Sequence, residues 1–433
     1  MKTVKFGGTS LASAAQIKKA VEIIKADESR KAVVLSAPGK RDSQDIKITD
    51  LLINSYKEKA AGQDYKATFA KIRSRFIELA EQLKVTVDIK AELEIIEQKI
   101  AVGTTLDYVE SRGEYLNSLM ISQVLDAEFI DAAEVVRLTA DGRVDPQSYD
   151  LIGERIKQVQ GRFVVPGFFG TGPDGEIKSF SRGGSDITGA IVARGIGADV
   201  YENWTDVSGI LQADPRIVAA ARPILEITYA EVRELASCGA SVFHEEAIAP
   251  VRDAGIPINI KNTNNPSDNG TMILDSRSTS AQPVVGVSAR KPYRMLNCEK
   301  FMLNRYPELP SQIKESLSNQ GLSVEFDMKG FDTLAMMVDS SDSFDADSVC
   351  RQIEKSTEVD ACSFGMNVSI IGVVGAGLPG QTGLLGRMLS ALDREGIEVR
   401  SISYGGTKMT ALFAVNLENS DQALNILVAQ LQK

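Results

Sequence analysis

The chain has 433 residues, of which 48 are Lys or Arg and 58 are Asp or Glu, so its formal net charge is −10. That length predicts two or three domains, and the negative charge argues against nucleic acid or an anionic membrane as a partner. No apolar run reaches the roughly 18 residues of a membrane span, and the N-terminus lacks a signal-peptide layout, so we expect a cytoplasmic protein.

The first ten residues predict a strand, a glycine turn and a helix start. Apolar and polar side chains alternate over residues 3–6, as in a strand. The turn that follows ends in Thr9 and Ser10, either of which could cap the helix. Free amides at a helix start suit anionic oxygens, and Lys5 adds a positive charge beside them. A plain turn with a snorkelling lysine explains this stretch alone equally well.

The next three hundred residues or so read as an α/β domain. A buried parallel strand is predicted at 32–35, and residues 56–102 form a helical excursion that could be a lid or a dimer surface. Residues 111–114 interrupt the helical pattern before it resumes at 116–125. Further strands are expected at 129–130, 135–136, 163–165, 177–180 and 200–204. The strand at 177–180 leads to a second glycine-rich helix start, Ser181-Arg182-Gly183-Gly184-Ser185-Asp186.

A linker without periodicity is predicted at 276–282, and the remainder divides into two similar β-turn-α-β-β units of roughly 65 residues each. The expected domains are therefore 1–280, 281–362 and 363–433, and the last could contribute a strand to the one before it. The run Gly375–Gly380 matches the dinucleotide fingerprint GxGxxG. We reject that interpretation because too few residues follow it for a doubly wound sheet.

The chemistry open to this chain is limited by its composition. Its four cysteines form no CxxC pair, which is typical of reduced thiols. It has a single histidine, His244, which we expect to be structural. We expect neither a metal site built from protein side chains nor a mechanism with two histidines. Any chemistry must therefore be carried out by lysine, arginine, carboxylates and backbone amides.

Six motifs in order resemble the aspartate kinases of the amino acid kinase family, and the tandem repeat is similar to the paired ACT modules of that family. The motifs are Lys5-Phe6-Gly7-Gly8-Thr9-Ser10, Arg112-Gly113-Glu114, Ser181–Asp186, Trp204-Thr205-Asp206-Val207, Asp214-Pro215-Arg216 and Lys261-Asn262-Thr263. The resemblance implies an α/β amino acid kinase fold, with a mainly parallel central sheet and helices on both faces, followed by two α+β ferredoxin-like ACT modules.

The resemblance also implies an activity, the ATP-dependent phosphorylation of the side-chain carboxylate of L-aspartate to 4-phospho-L-aspartate. This is the first step of lysine, threonine and methionine biosynthesis. Mg²⁺ would be bound through the nucleotide phosphates. Phosphoryl transfer needs positioning and charge neutralisation rather than a histidine, and a carboxylate is already ionised at neutral pH.

Carried over residue by residue, the resemblance assigns Lys5 and Asp186 to catalysis. It assigns to the aspartate pocket Ser36, Thr49, Glu114 and Arg182. It assigns to the phosphates and nucleotide Gly7, Gly8, Thr9, Ser10, Gly183, Gly184, Ser185, Thr205, Asp206, Asp214 and Arg216. Two departures put nucleotide affinity in question, namely Ser241 where the family often has lysine, and Leu211 where it commonly has an aromatic residue.

Paired ACT modules imply an amino-acid effector and at least a homodimer, or a dimer of dimers. Ser323, Glu325 and Asp332 match the effector region, and two carboxylates suit lysine better than threonine. Two alternatives stay open. One is a kinase for another acid, such as glutamate, acetylglutamate or a nucleoside monophosphate. The other is an amino-acid sensor whose kinase domain no longer turns over.

Overall fold

The computed structural model describes residues 1–180, 183–240, 245–404 and 409–431. The chain forms two compact units. The first contains residues 1–210, 223–229 and 243–277, and the second contains residues 211–222, 230–242 and 278–433. The three domain boundaries given above stay a prediction.

The first unit is built on an eight-stranded sheet with a separate two-stranded hairpin. In chain order the strands are β1 (Lys2–Phe6), β2 (Arg30–Leu35), β3 (Glu128–Phe129), β4 (Phe163–Pro166), β5 (Phe169–Thr171), β6 (Ile177–Ser179), β7 (Val200–Thr205), β8 (Glu226–Thr228), β9 (Ile258–Asn262) and β10 (Thr271–Leu274). The sheet order is β3-β4-β2-β1-β7-β9-β10-β8, and β5 pairs with β6. Neighbours in the large sheet run parallel except β9 and β10.

Ten helices accompany these strands within the described ranges. They are α1 (Ala14–Lys25), α2 (Ile48–Ala60), α3 (Lys66–Leu83), α4 (Ile89–Val102), α5 (Leu106–Leu125), α6 (Ala132–Val135), α7 (Gln147–Ile156), α8 (Gly184–Gly195), α9 (Tyr229–Ser237) and α10 (Ile248–Asp253). Most of α9 belongs to the second unit. Nowhere in the described part of the chain is a helix long and apolar enough to cross a membrane.

Strand alternation divides the side chains of the sheet between two layers of helices. Val4 and Phe6 lie in one apolar core with residues of α1 to α5. Lys5 points to the opposite face, where α8 packs against β1, β2 and β7. The predicted sheet with helices on both faces is confirmed.

The helical excursion is a set of three helices, α2 to α4, packed into the same core. The buried stripe of α3 recurs every three or four residues at Phe69, Ile72, Phe76, Leu79 and Leu83, the spacing of a core-facing helix. Arg75 is also buried there. The excursion is therefore part of the first unit's core, and its interpretation as a lid or dimer surface stays a prediction.

Three predictions of local structure are wrong. A strand at 135–136 is replaced by the short helix α6, capped by the Asp131 carboxylate, which accepts from the Ala133 amide. The helix after the first glycine turn is not capped by Thr9 or Ser10. Those residues enter a 3₁₀ helix, Thr9–Leu11, and α1 starts later, where the Ser13 hydroxyl accepts from the Gln16 amide.

The predicted interruption at 111–114 is also wrong, because α5 runs through it without a break. Gly113 has a packing role instead of a breaking one. A Cβ on Gly113 would lie 2.8 Å from the Cβ of Ala37, well inside van der Waals contact. The glycine thus lets α5 lie directly against the loop after β2.

The second unit holds a six-stranded antiparallel sheet and four further helices. The strands are β11 (Gly286–Glu299), β12 (Val324–Lys329), β13 (Thr333–Asp339), β14 (Ala361–Val374), β15 (Val399–Tyr404) and β16 (Thr410–Asn416). The helices are α11 (Leu309–Ser318), α12 (Ala346–Ser356), α13 (Leu384–Arg394) and α14 (Ser420–Leu431). The strand order is β12-β13-β11-β14-β16-β15.

The second unit contains two consecutive β-α-β-β-α repeats. Their first strands, the long β11 and β14, pair at the centre of the sheet. Their register runs from Gly286 opposite Val374 to Glu299 opposite Ala361. The second half of β11 pairs with β13, and the second half of β14 pairs with β16. Each long strand therefore serves both repeats, and the predicted pair of α+β modules is confirmed.

Candidate active site

The site lies where four parallel strands end. Backbone hydrogen bonds continue past the strands and tie their loops together. The Gly7 amide donates to the Trp204 carbonyl at 3.0 Å, the Ser36 amide to the Phe6 carbonyl at 3.2 Å, and the Gly167 amide to the Leu35 carbonyl at 3.0 Å. The loops after β1, β2, β4 and β7 thus share one edge of the sheet, where α/β folds bind ligands.

An ion pair joins the two glycine-rich segments at this edge. Lys5 Nζ lies 2.6 Å from Asp186 Oδ1, and the two side chains are 10% and 21% exposed. Asn203, the register partner of Lys5 on β7, donates from Nδ2 to the same Oδ1 at 2.8 Å. Asp186 is in the first turn of α8, where the helix dipole favours an anion. The ammonium is therefore oriented by a carboxylate that is itself held in place.

The first glycine turn is shaped by close backbone approach. Gly8 has ordinary right-handed dihedral angles, and its carbonyl accepts from the Gly39 amide at 2.8 Å. A Cβ on Gly39 would lie 2.5 Å from the carbonyl carbon of Gly8. A Cβ on Gly7 would lie 3.8 Å from Lys5 Nζ. The space beside Gly7 therefore faces the ammonium, and Gly39 is a shaping residue to which sequence reasoning gave no role.

The second glycine turn packs against the loop after β4. Gly183 has a positive φ of 61°, and a Cβ on Gly184 would lie 2.6 Å from Cδ2 of Phe168. Phe168 itself has a φ of 80°, a strained conformation for a non-glycine residue of the kind often found at functional sites. Its amide donates to the Thr188 hydroxyl of α8 at 3.0 Å. Arg182, predicted to bind substrate, lies outside the described residues.

Helix α5 brings a buried carboxyl group to the same region. Glu114 is 5% exposed, and its Oε2 has no hydrogen-bond partner within the described ranges. Burial raises the pKa of Glu114 to about 8 from an ordinary 4.5, and a hydrogen bond from the Ala37 amide partly offsets that rise. One turn on, Asn117 donates to the Ser36 carbonyl at 2.8 Å, while its Oδ1 has no described partner. Asn117 was not identified from the sequence.

The arginine of the same motif has a packing role. The guanidinium carbon of Arg112 lies 4.6 Å from the ring centres of Tyr108 and Tyr115 and 5.0 Å from that of Phe169. It donates to the Ser111 hydroxyl and the Tyr108 carbonyl. In this triplet, Arg112 packs against aromatic rings and Gly113 permits close packing of α5. Glu114 is the member that faces the site.

Three predicted hydroxyl residues lie in different surroundings. Ser36 follows β2 directly, and Thr49 lies in the first turn of α2, both partly buried. Ser10 is fully enclosed, and its Oγ lies 2.7 Å from Oγ1 of Thr263. This contact joins the 3₁₀ helix to the loop after β9, so the Ser10 hydroxyl already has a protein partner.

Comparison with known proteins identifies the family of this chain. The amino acid kinase family matches residues 2–262, more than half of the chain. The chain belongs to the amino acid kinase family. An ACT domain matches residues 371–431. Aspartokinase 3 of Bacillus subtilis is 34% identical over 444 residues, covering 99% of this chain and 98% of that protein.

Two further relatives extend over the same length. The crystal structure of aspartate kinase from Clostridium acetobutylicum, described as an allosteric enzyme, superposes with a TM-score of 0.94 at 38% identity and covers 100% of both chains. Lysine-sensitive aspartokinase 3 of Escherichia coli is 26% identical, covering 99% of this chain and 98% of that protein. The similarity to aspartate kinases therefore spans both the kinase and the ACT regions.

The nucleotide-side residues predicted for this amino acid kinase fall into separate groups. Thr205 ends β7 and donates to the Asp206 carboxylate at 3.1 Å. Asp214 and Arg216 lie in the second unit and pair with each other at 2.6 Å, with the arginine 87% exposed. Leu211 also lies in the second unit. Ser241 and His244 lie outside the described residues.

The residues matched to the effector region of the family do not converge within one chain. Ser323 and Glu325 lie at the start of β12, and Asp332 lies in the turn at its far end. Glu325 pairs with Arg290 at 3.0 Å, whereas Asp332 Oδ1 accepts from the Met302 amide at 2.8 Å. A single subunit therefore does not bring these carboxylates together around one ammonium.

Proposed function

We propose that this chain is an aspartate kinase that transfers the γ-phosphoryl group of ATP to the side-chain carboxylate of L-aspartate. The observation that carries the proposal is the Lys5–Asp186 pair at the junction of the two glycine turns. Full-length similarity to aspartate kinases supports the same substrate. In the reaction a carboxylate oxygen forms a bond to the γ-phosphorus as the bond to the β-phosphate oxygen breaks, giving 4-phospho-L-aspartate and ADP.

The residues supply charge neutralisation and positioning. The Lys5 ammonium stabilises the phosphoryl oxygens during transfer, and Asp186 and Asn203 hold that ammonium in place. Amides of the Gly7-Gly8 and Gly183–Ser185 turns receive phosphate oxygens. No general base is needed because the attacking carboxylate is already ionised.

We assign the space beside Gly7 to the phosphates of ATP, because a Cβ on Gly7 would lie 3.8 Å from Lys5 Nζ, so the ammonium is close to a group held there. For the metal, the described residues contain no cluster of three His, Cys, Asp or Glu groups that could hold an ion by themselves. We propose that Mg²⁺ is bound through the phosphate oxygens of the nucleotide, whose charge it would neutralise. Thr205 and Asp206 are assigned to the nucleotide side, together with Asp214 and Arg216.

The aspartate pocket combines one acidic and one basic recognition group. Glu114 accepts the α-ammonium of aspartate, and Oδ1 of Asn117 is a further acceptor on the same face of α5. Arg182 is proposed to clamp the α-carboxylate, since a guanidinium binds a carboxylate through two parallel hydrogen bonds. Ser36 and Thr49 line the remaining side. A free amino acid with a short acidic side chain satisfies this set.

Regulation by lysine is the second part of the proposal. It is supported by the ACT repeat and by the lysine sensitivity named for the Escherichia coli relative. Because Glu325 and Asp332 are apart within one chain, the effector would lie between modules of two subunits in a homodimer. Activity assays with lysine and threonine added separately test this. Inhibition by lysine supports it, and inhibition by neither amino acid contradicts it.

One assay decides the catalytic proposal. The protein is supplied with Mg²⁺ and ATP and a panel of free amino acids, and acyl phosphate is trapped with hydroxylamine. Hydroxamate from aspartate alone supports the proposal, which assigns the chain to the first step of lysine, threonine and methionine biosynthesis. Hydroxamate from glutamate indicates a kinase for another acid. No hydroxamate from any amino acid indicates a sensor.

A further inference from the structure

We propose that Arg75, on helix α3, is a positioning residue that holds the two active-site loops after β1 and β2 in register for phosphoryl transfer. This role rests on the proposed kinase function. Arg75 is remote in sequence from every residue predicted to bind substrate, and it belongs to the helical excursion, for which the sequence suggested a lid or a dimer surface. Its contacts instead connect that excursion to the loops at the ends of the first two strands.

The guanidinium donates to three carbonyls, one in the segment after β1 and two in the loop after β2. Nη1 donates to Ile46 at 3.1 Å, and Nη2 donates to Ala12 at 3.2 Å and also to Gly39. Nη1 further lies 3.0 Å from Asp45 Oδ2. A planar guanidinium with five N–H donors can satisfy such a divergent set of acceptors, whereas a lysine ammonium has one nitrogen.

Each acceptor adjoins a residue assigned to the site. Ala12 closes the 3₁₀ helix that follows the Gly7-Gly8 turn. Gly39 is in the loop that begins with Ser36, and its own amide donates to the Gly8 carbonyl. Ile46 comes just before α2, whose first turn carries Thr49. One side chain therefore fixes the phosphate turn relative to two walls of the aspartate pocket.

Burial explains why the contact should be specific. The Arg75 side chain is 5% exposed and lies beside the apolar stripe of α3, where a charge is costly unless it is paired. Burial lowers the pKa of Arg75, opposed by the Asp45 carboxylate. Asp45 is in turn held by the Arg41 amide and Nε, each at 2.9 Å. The Arg75 guanidinium thus stays charged because it pairs with Asp45, which the loop after β2 holds in place through Arg41.

The test uses Arg75→Gln and Arg75→Lys, with Arg73→Gln as matched control. Arg73 lies on the same helix, but its guanidinium pairs at 2.6 Å with Glu97 of α4 instead of with the loops after β1 and β2. We expect Arg75→Gln to lower kcat/KM by about 100-fold, the effect of displacing reacting groups by roughly 1 Å. Arg75→Lys should recover less than a tenth of that loss, and Arg73→Gln should stay within about twofold of wild type.

The measurements separate positioning from plain stability. Melting temperature, far-UV circular dichroism, kcat and the KM for each substrate are recorded for every variant, and ATP binding is followed by calorimetry without the amino acid. Weakened ATP binding in a folded Arg75→Gln protein supports the positioning role. This holds even if the wild type is inactive on aspartate, a result that would refute only the proposed function. A folded Arg75→Gln protein with wild-type ATP affinity and kinetics overturns the positioning role.

Asp45→Asn keeps the test decisive where Arg75→Gln does not fold. This change leaves Arg75 in place but weakens its anchor on the loop, so ATP affinity and kcat/KM should fall by about three- to tenfold, on the scale of one ordinary hydrogen bond. Unchanged ATP affinity and kinetics in Asp45→Asn, with wild-type melting temperature, contradict the proposal as well.

Discussion

Lys5 and Asp186 meet at 2.6 Å although they are far apart in the first unit's sequence, one on a central strand and the other in the first turn of α8. The contact exists because β1 lies between β2 and β7, with α8 packed against all three. Phe6 enters the core on the other side of the sheet. The neighbouring residues Lys5 and Phe6 thus point to opposite faces of β1, with Lys5 in the site and Phe6 in the apolar core.

Replacing Lys5 with Met should abolish turnover while preserving the fold. The methionine fills similar volume but leaves the phosphoryl oxygens without their ammonium, so we expect kcat to fall by at least about 10³-fold, as on removal of other transition-state donors. Asp186→Asn should have a smaller effect, because Lys5 keeps its charge but loses its anchor. Steady-state hydroxamate assays give kcat, and circular dichroism checks the fold. Near-normal kcat in Lys5→Met would refute the assigned role.

Gly39→Ala should damage the phosphate turn from the neighbouring loop. The new Cβ would lie 2.5 to 2.7 Å from three backbone atoms of Gly8 and Thr9, so one of the loops must move. We expect a loss of about 1–3 kcal/mol in the free energy of unfolding and at least about a tenfold rise in KM for ATP. Denaturant unfolding and initial-rate kinetics measure the two effects.

Gly386→Ala is the matched control for that substitution. Gly386 lies inside α13, and a Cβ there would meet nothing within 4 Å. Alanine should therefore stabilise the helix by about 0.5–1 kcal/mol, with unchanged kinetics. Unchanged kinetics and undiminished stability in Gly39→Ala, as in this control, would show that the close approach of Gly8 and Gly39 is not needed for ATP binding.

Aspartate binding should release a proton, because the pKa of Glu114 is raised to about 8 by burial. Below that pH the carboxyl group is neutral in the free protein, and it must ionise to pair with the substrate ammonium. Apparent affinity for aspartate should therefore rise as pH increases towards 8 and level off above it. Calorimetry in buffers of different ionisation enthalpy counts the protons released. Glu114→Gln should bind weakly and release none through this group.

The same carboxyl group should affect stability in the absence of substrate. Between pH 4.5, its ordinary pKa, and about 8, the folded state holds a proton that the unfolded state has lost. Stability then falls with rising pH, by up to about 1.4 kcal/mol per pH unit from this group. Comparing wild type with Glu114→Gln in urea unfolding isolates the contribution, and identical pH profiles would contradict the buried carboxyl.

Ser10 offers a test between a structural and a nucleotide-binding role. Ser10→Ala leaves the buried Thr263 hydroxyl without its partner, which should cost about 1–3 kcal/mol of stability. The double variant Ser10→Ala with Thr263→Val removes both hydroxyls and should recover part of that loss. A mainly raised KM for ATP with unchanged stability would instead favour the phosphate contact predicted from the motif.

What could be predicted from the sequence depended on how local the determinant was. The strand and glycine turn around Lys5 show in a handful of adjacent residues, and the resemblance supplied Asp186. Arg75 could not be found this way, since its acceptors are three backbone carbonyls in two distant loops and carbonyls leave no sequence signal. Gly113 misled for a related reason, because a helix-weakening residue was needed for contact with Ala37.

The same distinction applies to the helix starts. A Thr-Ser pair after glycines suits a helix cap, but Ser13, three positions beyond Ser10, has the hydroxyl that accepts from Gln16. The intervening 3₁₀ turn is set by the packing of buried Leu11 and by the Ser10–Thr263 contact with the loop after β9. Local propensity alone could not distinguish these positions.

The long strands β11 and β14 make the two repeats of the second unit interdependent for folding. Gly286 finds its partner at Val374, after the whole of the first repeat has been synthesised. Such a pairing closes a long loop. The chain must lose the conformational entropy of that loop before the central β11–β14 ladder can form. We expect the six-stranded sheet to acquire its structure as one cooperative unit. A cut between the repeats should therefore leave two aggregation-prone fragments with unpaired strand edges, rather than two small stable domains.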